Sequence, residues 1–124
     1  MGVERKGLTL KEYQEKAMTT CLPTSNNHLY MLGGLTEEVG ELNGKIAKAI
    51  RKGWIKFNNN ELVILSTCPS EFSEDILKEL GDVMWMTSGL AKVFGLDLNS
   101  VGQSNLDKLA NRKKDGTIIS HTDH

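Results

Sequence analysis

The sequence predicts an all-α protein, a bundle of about four helices with an inserted hairpin-like or flexible linker between helices two and three. Apolar residues recur at helical spacing over most of the chain, capping residues stand where these stretches begin, and glycine or proline follows where they end. The 124 residues leave room for one domain. We therefore expect a single domain over residues 1–124, with a flexible tail from about 115 to 124.

The charge balance excludes several classes of partner. The 15 lysines and arginines face 16 aspartates and glutamates, so no net positive field attracts nucleic acid or an anionic membrane. The longest purely apolar runs have about four residues, far below the roughly 20 that a membrane span needs. Because Cys21 and Cys68 stand far apart without a metal-binding or disulfide pattern, we expect a reducing, cytoplasmic location.

Helix one opens at a capping box, in which the side chains of Thr9 and Glu12 satisfy each other's backbone amides. The apolar pattern predicts that this helix reaches about Thr20. Pro23 then interrupts the pattern and separates helix one from helix two.

Helix two is predicted to start near Asn26 or Asn27 and to end at Arg51, where basic residues and a glycine follow. The linker over residues 54–72 has a different composition. Apolar and aromatic runs lie on either side of Asn58-Asn59-Asn60. This pattern is typical of a small β-hairpin, and a mobile excursion is the alternative.

Helix three is predicted over residues 74–94, with Ser73 as its N-cap and acidic residues in its first turn. Helix four begins at Asp97 or Asn99, either of which can serve as a cap, and ends near Arg112. The chain thus divides into four helices joined by short connections and one distinct linker.

Helices two and three each carry an acid-x-x-acid pair, Glu38 with Glu41 and Glu79 with Asp82. At about 100° per residue, each pair lies along the edge of an apolar stripe that we expect to be buried. The stripe residues are Leu35, Val39, Leu42, Ile46, Ala49 and Ile50 on helix two, and Ile76, Leu80, Val83, Thr87, Leu90 and Phe94 on helix three. If the helices pack antiparallel through these stripes, the four carboxylates converge.

Converging carboxylates need a cation, since two of them about 6 Å apart repel by roughly 3 kcal/mol at an effective dielectric constant near 20. All-oxygen ligands without histidine favour Mg²⁺ or Mn²⁺ over zinc. The alternative is a solvated acidic face, in which Glu41 pairs with Lys45 one turn further on. Two acidic pairs in matching phase beside matching stripes favour the metal site.

Helix four carries a polar stripe that suits a phosphate. Asn105, Lys108 and Arg112 fall within an arc of about 60° on this helix, so an amide and two cations point together. Such a group can bind phosphate oxygens through charge-assisted hydrogen bonds. Two divalent cations would balance the four negative charges of the acidic pairs. Two such metals beside a phosphate-binding stripe describe a polyphosphate site suited to attack of water at phosphorus.

Four other residues are candidates with a competing structural explanation. Glu37 lies about 100° from Glu38 around the helix, which suits either a residue that orients or deprotonates the attacking water or a surface acid. His28, Tyr30 and Trp54 have the chemistry to contact a base, and ordinary packing in the bundle is the alternative.

Glycines form a second stripe on helix two, opposite the apolar one, at Gly33, Gly40 and Gly44. Each glycine inside a helix costs roughly 1 kcal/mol relative to alanine. We therefore expect another helix, from this chain or from a second subunit, to approach closely there.

The acidic segments and helix four together resemble a known family. Residues 37–42 and 79–83 resemble the EExxE…ExxD signature of the MazG-like all-α nucleoside triphosphate pyrophosphohydrolases. Residues 105–112 are similar to the N-x-x-K-L-x-x-R segment of that family. The resemblance implies Mg²⁺-dependent hydrolysis of an NTP or dNTP to the monophosphate and pyrophosphate, which controls the nucleotide pool or removes noncanonical nucleotides.

The same resemblance implies roles for individual residues and an assembly. The implied metal ligands are Glu38, Glu41, Glu79 and Asp82, and Lys108 and Arg112 lie near the phosphates. It also implies a homodimer or homotetramer whose sites draw on neighbouring subunits. The alternative from a different class is a helical binding module that keeps the acidic cluster for a structural cation, without turnover.

Overall fold

A computed structural model describes residues 7–116 and confirms the all-α prediction. Its elements are α1 (Leu10–Met18), a 3-10 turn (Pro23–Ser25), α2 (His28–Arg51), β1 (Ile55–Asn58), β2 (Glu61–Ile64), α3 (Glu71–Val93) and α4 (Leu98–Asp115). Residues 117–124 of the predicted tail lie outside the described part of the chain. No helix within residues 7–116 has the length and hydropathy to cross a membrane.

The predicted capping box of α1 is present. The hydroxyl of Thr9 accepts from the Glu12 amide at 3.0 Å, and Oε1 of Glu12 accepts from the Thr9 amide at 3.0 Å. The helix ends at Met18, two residues before the predicted end at Thr20. The hydroxyls of Thr19 and Thr20 donate to carbonyls of the last turn, which satisfies groups that a longer helix would use.

The helix α2 has the predicted bounds, and the linker after it forms the predicted hairpin. The side chain of Asn27 caps α2 by accepting from the Tyr30 amide at 2.8 Å. The strands β1 and β2 pair antiparallel through a two-residue turn of Asn59 and Asn60, whose φ angles are 53° and 69°. Positive φ at both turn residues suits a type I′ turn, and asparagine tolerates it better than most residues do.

The predicted start of α3 is wrong by about one turn. The helix begins at Glu71 after a cap position at Ser70, so Ser73 lies inside the first turn and does not cap it. Phe72 explains the earlier start, because it is buried with Ala49 and Ile55 at the base of the hairpin. Burial of this ring stabilises a first turn that capping signals alone do not reveal.

The fourth helix starts as predicted and ends later than predicted. Asp97 caps it by accepting from the Ser100 amide at 2.8 Å. The helix continues to Asp115, three residues past Arg112, so the first residue of the predicted flexible tail is helical. Gly116 ends it with a φ of 74°, a left-handed conformation that glycine adopts without strain.

The buried faces of α2 and α3 contain most of the predicted stripe residues, but they are rotated from the predicted stripes toward the acidic pairs. Glu79 is 8% exposed while its neighbour Leu80 is 48% exposed, and Val39, Ile50 and Phe94 are also exposed. The rotation has the same direction on both helices. Glu79 and, in part, Glu38 therefore lie in the seam between the helices, whereas Glu41 and Asp82 are exposed.

Two methionine–glycine contacts explain this rotation. Met31 packs against Gly89, and Met86 packs against Gly34, so a Cβ at either glycine would collide with the methionine. The order of these contacts shows that α2 and α3 run antiparallel. No other element within residues 7–116 approaches Gly33, Gly40 or Gly44, since nothing outside their own helix lies within 4 Å of a Cβ placed there. Close approach of a second subunit to this stripe stays a prediction.

The first helix packs on α3 and on the start of α4. The buried side chain of Gln14 donates to the Ser88 and Leu96 carbonyls, at 3.0 and 3.1 Å, and accepts from the Leu98 amide at 2.9 Å. The indole N–H of Trp85 donates to the hydroxyl of Thr20 at 2.9 Å. These bonds hold α1 against α3, whereas α2 packs chiefly against α3 and β1.

Candidate metal centre

Three of the four predicted ligands meet between α2 and α3. Glu38 and Glu41 from α2 and Glu79 from α3 each offer a carboxylate oxygen, and the three oxygens lie within 4.8 Å of one another. Glu79 is buried, Glu38 is half-buried and Glu41 is exposed. Asp82, one turn after Glu79, lies outside this trio, and its charge acts on both Glu38 and Glu79.

Burial and mutual repulsion disfavour the charged forms of these acids. Burial raises the pKa of the Glu38 carboxyl, and the charges of Glu41, Asp82 and Glu79 raise it further. Burial also raises the pKa of Glu79, and a hydrogen bond with Glu41 acts in the same direction. The cluster therefore holds negative charge at a cost in stability.

A positive group is available to the cluster from within the chain. The half-buried Lys45 lies close enough to Glu79 to lower its pKa, which opposes the effects of burial and of Glu41. The opposing contributions outweigh it, because the pKa of Glu79 is raised on balance. One lysine thus leaves the negative charge of this site uncompensated.

The two most enclosed acids have unpaired oxygens. Oε2 of Glu38 and Oε2 of Glu79 are buried and have no hydrogen-bond partner within residues 7–116. Buried polar atoms are almost always paired, so an unpaired carboxylate oxygen indicates an absent partner. A set of carboxylate oxygens without histidine or cysteine fits a hard divalent cation such as Mg²⁺ or Mn²⁺.

An open groove of about 400 Å³ lies beside the trio, lined by Glu41, Gly44, Lys45, Lys48 and Glu79. The ammonium of Lys48 lies 5.8 Å from the centre of the Trp54 ring. From the sequence, Lys45 was expected only as an ion-pair partner of Glu41, and Lys48 was not expected at the site. Their spacing was the available signal, since residues four and seven positions after Glu41 share its side of the helix.

Of the predicted phosphate-binding residues of α4, the structure places Asn105 away from the groove beside the trio. Asn105 lines a groove between α1 and α4 with Leu10 and Gly102, and this groove shares no lining residue with the acidic one. Lys108 is exposed and Arg112 is half-buried. Their role at the phosphates stays a prediction.

The candidate base contacts lie at opposite ends of α2. His28 is its first residue and Trp54 follows its last, so the 24 residues of the helix place them about 35 Å apart. Both therefore cannot contact one base within a single chain. His28 and Tyr30 are exposed, and Trp54 packs edge-on against Phe72 with ring centres 6.3 Å apart.

Glu37 stays a candidate for the residue that orients or deprotonates water. It is exposed, and its charge is among those that raise the pKa of Glu38. It is not part of the trio of Glu38, Glu41 and Glu79, as the helical angle predicts.

The raised pKa values predict how stability depends on pH without metal. The folded chain binds more protons at Glu38 and Glu79 than the unfolded chain does, from the ordinary glutamate pKa up to the raised values. Their contribution to the free energy of unfolding therefore falls as pH rises through that window. In EDTA, we expect the wild-type Tm to decrease relative to a Glu38→Gln/Glu79→Gln variant as pH rises above the ordinary glutamate pKa of 4.5. Parallel Tm profiles would contradict the raised pKa values.

The fold and the site together place this chain among the all-α proteins that carry a carboxylate cluster between two antiparallel helices. This chain belongs to the MazG family, because the MazG nucleotide pyrophosphohydrolase domain matches residues 26–117. It is also similar to the Gene 37 protein of Mycobacterium phage L5, with 36% identity over 95 residues, which are 77% of this chain and 74% of the phage protein. This domain match confirms the resemblance seen in the sequence and indicates an activity of the nucleotide pyrophosphohydrolase type.

Proposed function

We propose that the chain hydrolyses a nucleoside triphosphate, an NTP or dNTP, to the monophosphate and pyrophosphate with Mg²⁺ or Mn²⁺ bound at the acidic trio. The observation that carries the proposal is the pair of unpaired, buried carboxylate oxygens of Glu38 and Glu79. We also propose that the chain forms a cytoplasmic homodimer or homotetramer. Its role would be to control the nucleotide pool or to remove noncanonical nucleotides.

The residues of the trio, with Asp82 beside them, would hold the cation. A divalent cation bound there supplies positive charge that polarises phosphate oxygens and favours deprotonation of water. Glu38 and Glu41 contribute to catalysis by holding that charge in place. Glu37, on the exposed side of α2, accepts the proton of the attacking water.

The reaction breaks one phosphoanhydride bond. The water oxygen bonds to the α or β phosphorus, and the bond from that phosphorus to the oxygen that bridges α and β breaks. Attack at the α phosphorus releases pyrophosphate as the leaving group, whereas attack at the β phosphorus releases the nucleoside monophosphate and leaves the water oxygen in pyrophosphate. Lys45 and Lys48, which line the acidic groove, offset the negative charge of the phosphates. Lys108 and Arg112 add phosphate contacts. Asn105 lines a separate groove in the single chain, so its phosphate contact would come from a neighbouring subunit.

Product analysis tests the proposed reaction. A panel of NTPs and dNTPs is incubated with the chain and Mg²⁺, and we expect monophosphate and pyrophosphate, with none formed in EDTA. Nucleoside diphosphate and phosphate as products would contradict the proposed bond cleavage. Binding of Mg²⁺ without turnover of any nucleotide would favour the helical binding module.

The substitutions Lys108→Ala and Arg112→Ala are expected to lower kcat/KM while leaving Mg²⁺ affinity unchanged, because a phosphate contact acts on the nucleotide. Loss of one charge-assisted hydrogen bond lowers kcat/KM by about ten- to a hundredfold. Steady-state kinetics and Mg²⁺ titration check the two quantities. Lys48→Ala, from the groove beside the trio, is measured in parallel. Loss of Mg²⁺ affinity in the α4 variants would contradict their assignment to phosphate.

A further inference from the structure

One lysine lies beside the acidic trio in the open groove. Lys45 is half-buried, stands one helical turn after Glu41, and lines the groove together with Glu41 and Glu79. Its charge lowers the pKa of Glu79, against the larger effects that raise it. No direct ion pair within residues 7–116 fixes its ammonium in place. The ammonium is therefore within electrostatic reach of the trio and can also contact a second anion in the groove.

The register of α2 and α3 explains this position. The contact of Gly34 with Met86 aligns the two antiparallel helices. Equal steps along both helices from this contact lead first to the trio and then, one turn further, to Lys45 on α2 and the half-buried Asp75 on α3. The packing of the helices thus keeps the lysine one turn from the trio, at the level of a further acid.

An ammonium held at this place acts with opposite sign on two kinds of ligand. It repels a divalent cation at the trio, since like charges a few ångströms apart interact appreciably even at an effective dielectric constant near 20. It attracts a polyphosphate in the groove through charge-assisted hydrogen bonds. The contribution of Lys45 to binding therefore changes sign according to whether the cation arrives alone or with phosphates.

We propose that Lys45 makes the site select the complex of a divalent cation with a polyphosphate over the free cation. It weakens the binding of Mg²⁺ alone and strengthens the binding of phosphate groups once Mg²⁺ is present. This inference rests on the cation site of the proposed function. Lys48 does not share the role. It is exposed, its ammonium lies 5.8 Å from the centre of the Trp54 ring, and its charge is not among the main ones that shift the pKa of Glu79.

Calorimetric titration with Mg²⁺ alone, and with inorganic pyrophosphate at saturating Mg²⁺, tests the inference. Pyrophosphate carries phosphate charge without a base, and neither titration depends on turnover. For Lys45→Gln we expect about tenfold tighter binding of Mg²⁺ alone and about tenfold weaker binding of pyrophosphate. Lys45→Arg keeps the charge and is expected to keep both affinities near those of the wild type. Lys45→Met provides the same test if the glutamine variant loses the helical circular dichroism of the wild type.

Lys48→Gln is the matched control, because it removes the same charge from the same groove. We expect it to weaken pyrophosphate binding and to change the affinity for Mg²⁺ alone by less than about twofold, since repulsion falls with distance. Equal tightening of Mg²⁺ in both lysine variants would overturn the specific role of Lys45. Unchanged or weaker Mg²⁺ binding by Lys45→Gln would also overturn it, while Mg²⁺ binding by the wild type would leave the cation site standing. A wild type that binds no Mg²⁺ would overturn the cation site and the inference together.

Discussion

Replacement of Glu79 by glutamine is expected to reduce kcat by roughly a thousandfold, since the loss of one ligand removes several kcal/mol of stabilisation from a metal-assisted reaction. Glutamine keeps the volume of the side chain and removes its charge. The same change is expected to raise the Tm of the metal-free chain, because Glu79 is buried beside Glu41 and carries an unpaired oxygen. Glu38→Gln is expected to act in the same way.

Measuring both kcat and Tm distinguishes a role of Glu79 in the metal site from a role in holding the fold. Kinetics are measured at saturating Mg²⁺, and Tm is measured in EDTA. Glu74→Gln serves as the control, since Glu74 is an exposed acid in the first turn of α3 and outside the trio. Loss of activity with a lower Tm would show that Glu79 holds the fold, and full activity would contradict the proposed site.

The stabilising effect of metal follows from the same geometry. A cation that binds only the folded chain raises the free energy of unfolding by about 2.7 kcal/mol at a hundred times its dissociation constant. We expect millimolar Mg²⁺ to raise the Tm of the wild type and to have a smaller effect on Glu79→Gln. An unchanged wild-type Tm, with or without a nonhydrolysable nucleotide, would contradict a cation site at the trio.

The acids were predictable from the sequence because helical angles within one helix follow from spacing alone. Glu38 and Glu41 lie on one side of α2 whatever the helix packs against. Whether that side of α2 faces α3 or the solvent does not follow from spacing alone. The direction of that side depends on how α2 packs against α3. The packing is determined by the contacts of Met31 with Gly89 and of Met86 with Gly34. Glu79 therefore lies in the seam, with Glu38 half-buried beside it, and not along the predicted edge.

The contacts of α4 were harder to predict for the same reason. The spacing of Asn105, Lys108 and Arg112 predicts a common side of the helix, and it carries no information about the element that this side faces. The structure places Asn105 in a groove with Leu10 of α1. The hairpin was easier, since Asn59 and Asn60 suit the positive φ angles of its turn.

Asp82→Asn and Glu37→Gln are expected to separate a metal ligand from a residue that acts on water. Asp82 lies outside the trio, yet its charge raises the pKa values of both Glu38 and Glu79, so it lies near the same site. We expect Asp82→Asn to lower both Mg²⁺ affinity and kcat, with a loss of kcat of roughly a thousandfold. Glu37→Gln is expected to lower kcat by about a hundredfold or more and to leave Mg²⁺ affinity unchanged.

Calorimetric Mg²⁺ titration beside steady-state kinetics distinguishes these outcomes. Unchanged affinity and turnover in Asp82→Asn would restrict the site to the trio of Glu38, Glu41 and Glu79. Loss of Mg²⁺ binding in Glu37→Gln would mean that its side chain reaches the cation, against the roughly 100° that separates it from Glu38 on a regular helix. A loss of kcat confined to Glu37→Gln with normal Mg²⁺ affinity would instead support Glu37 as the proton acceptor, since a base changes the rate and not the affinity for the cation.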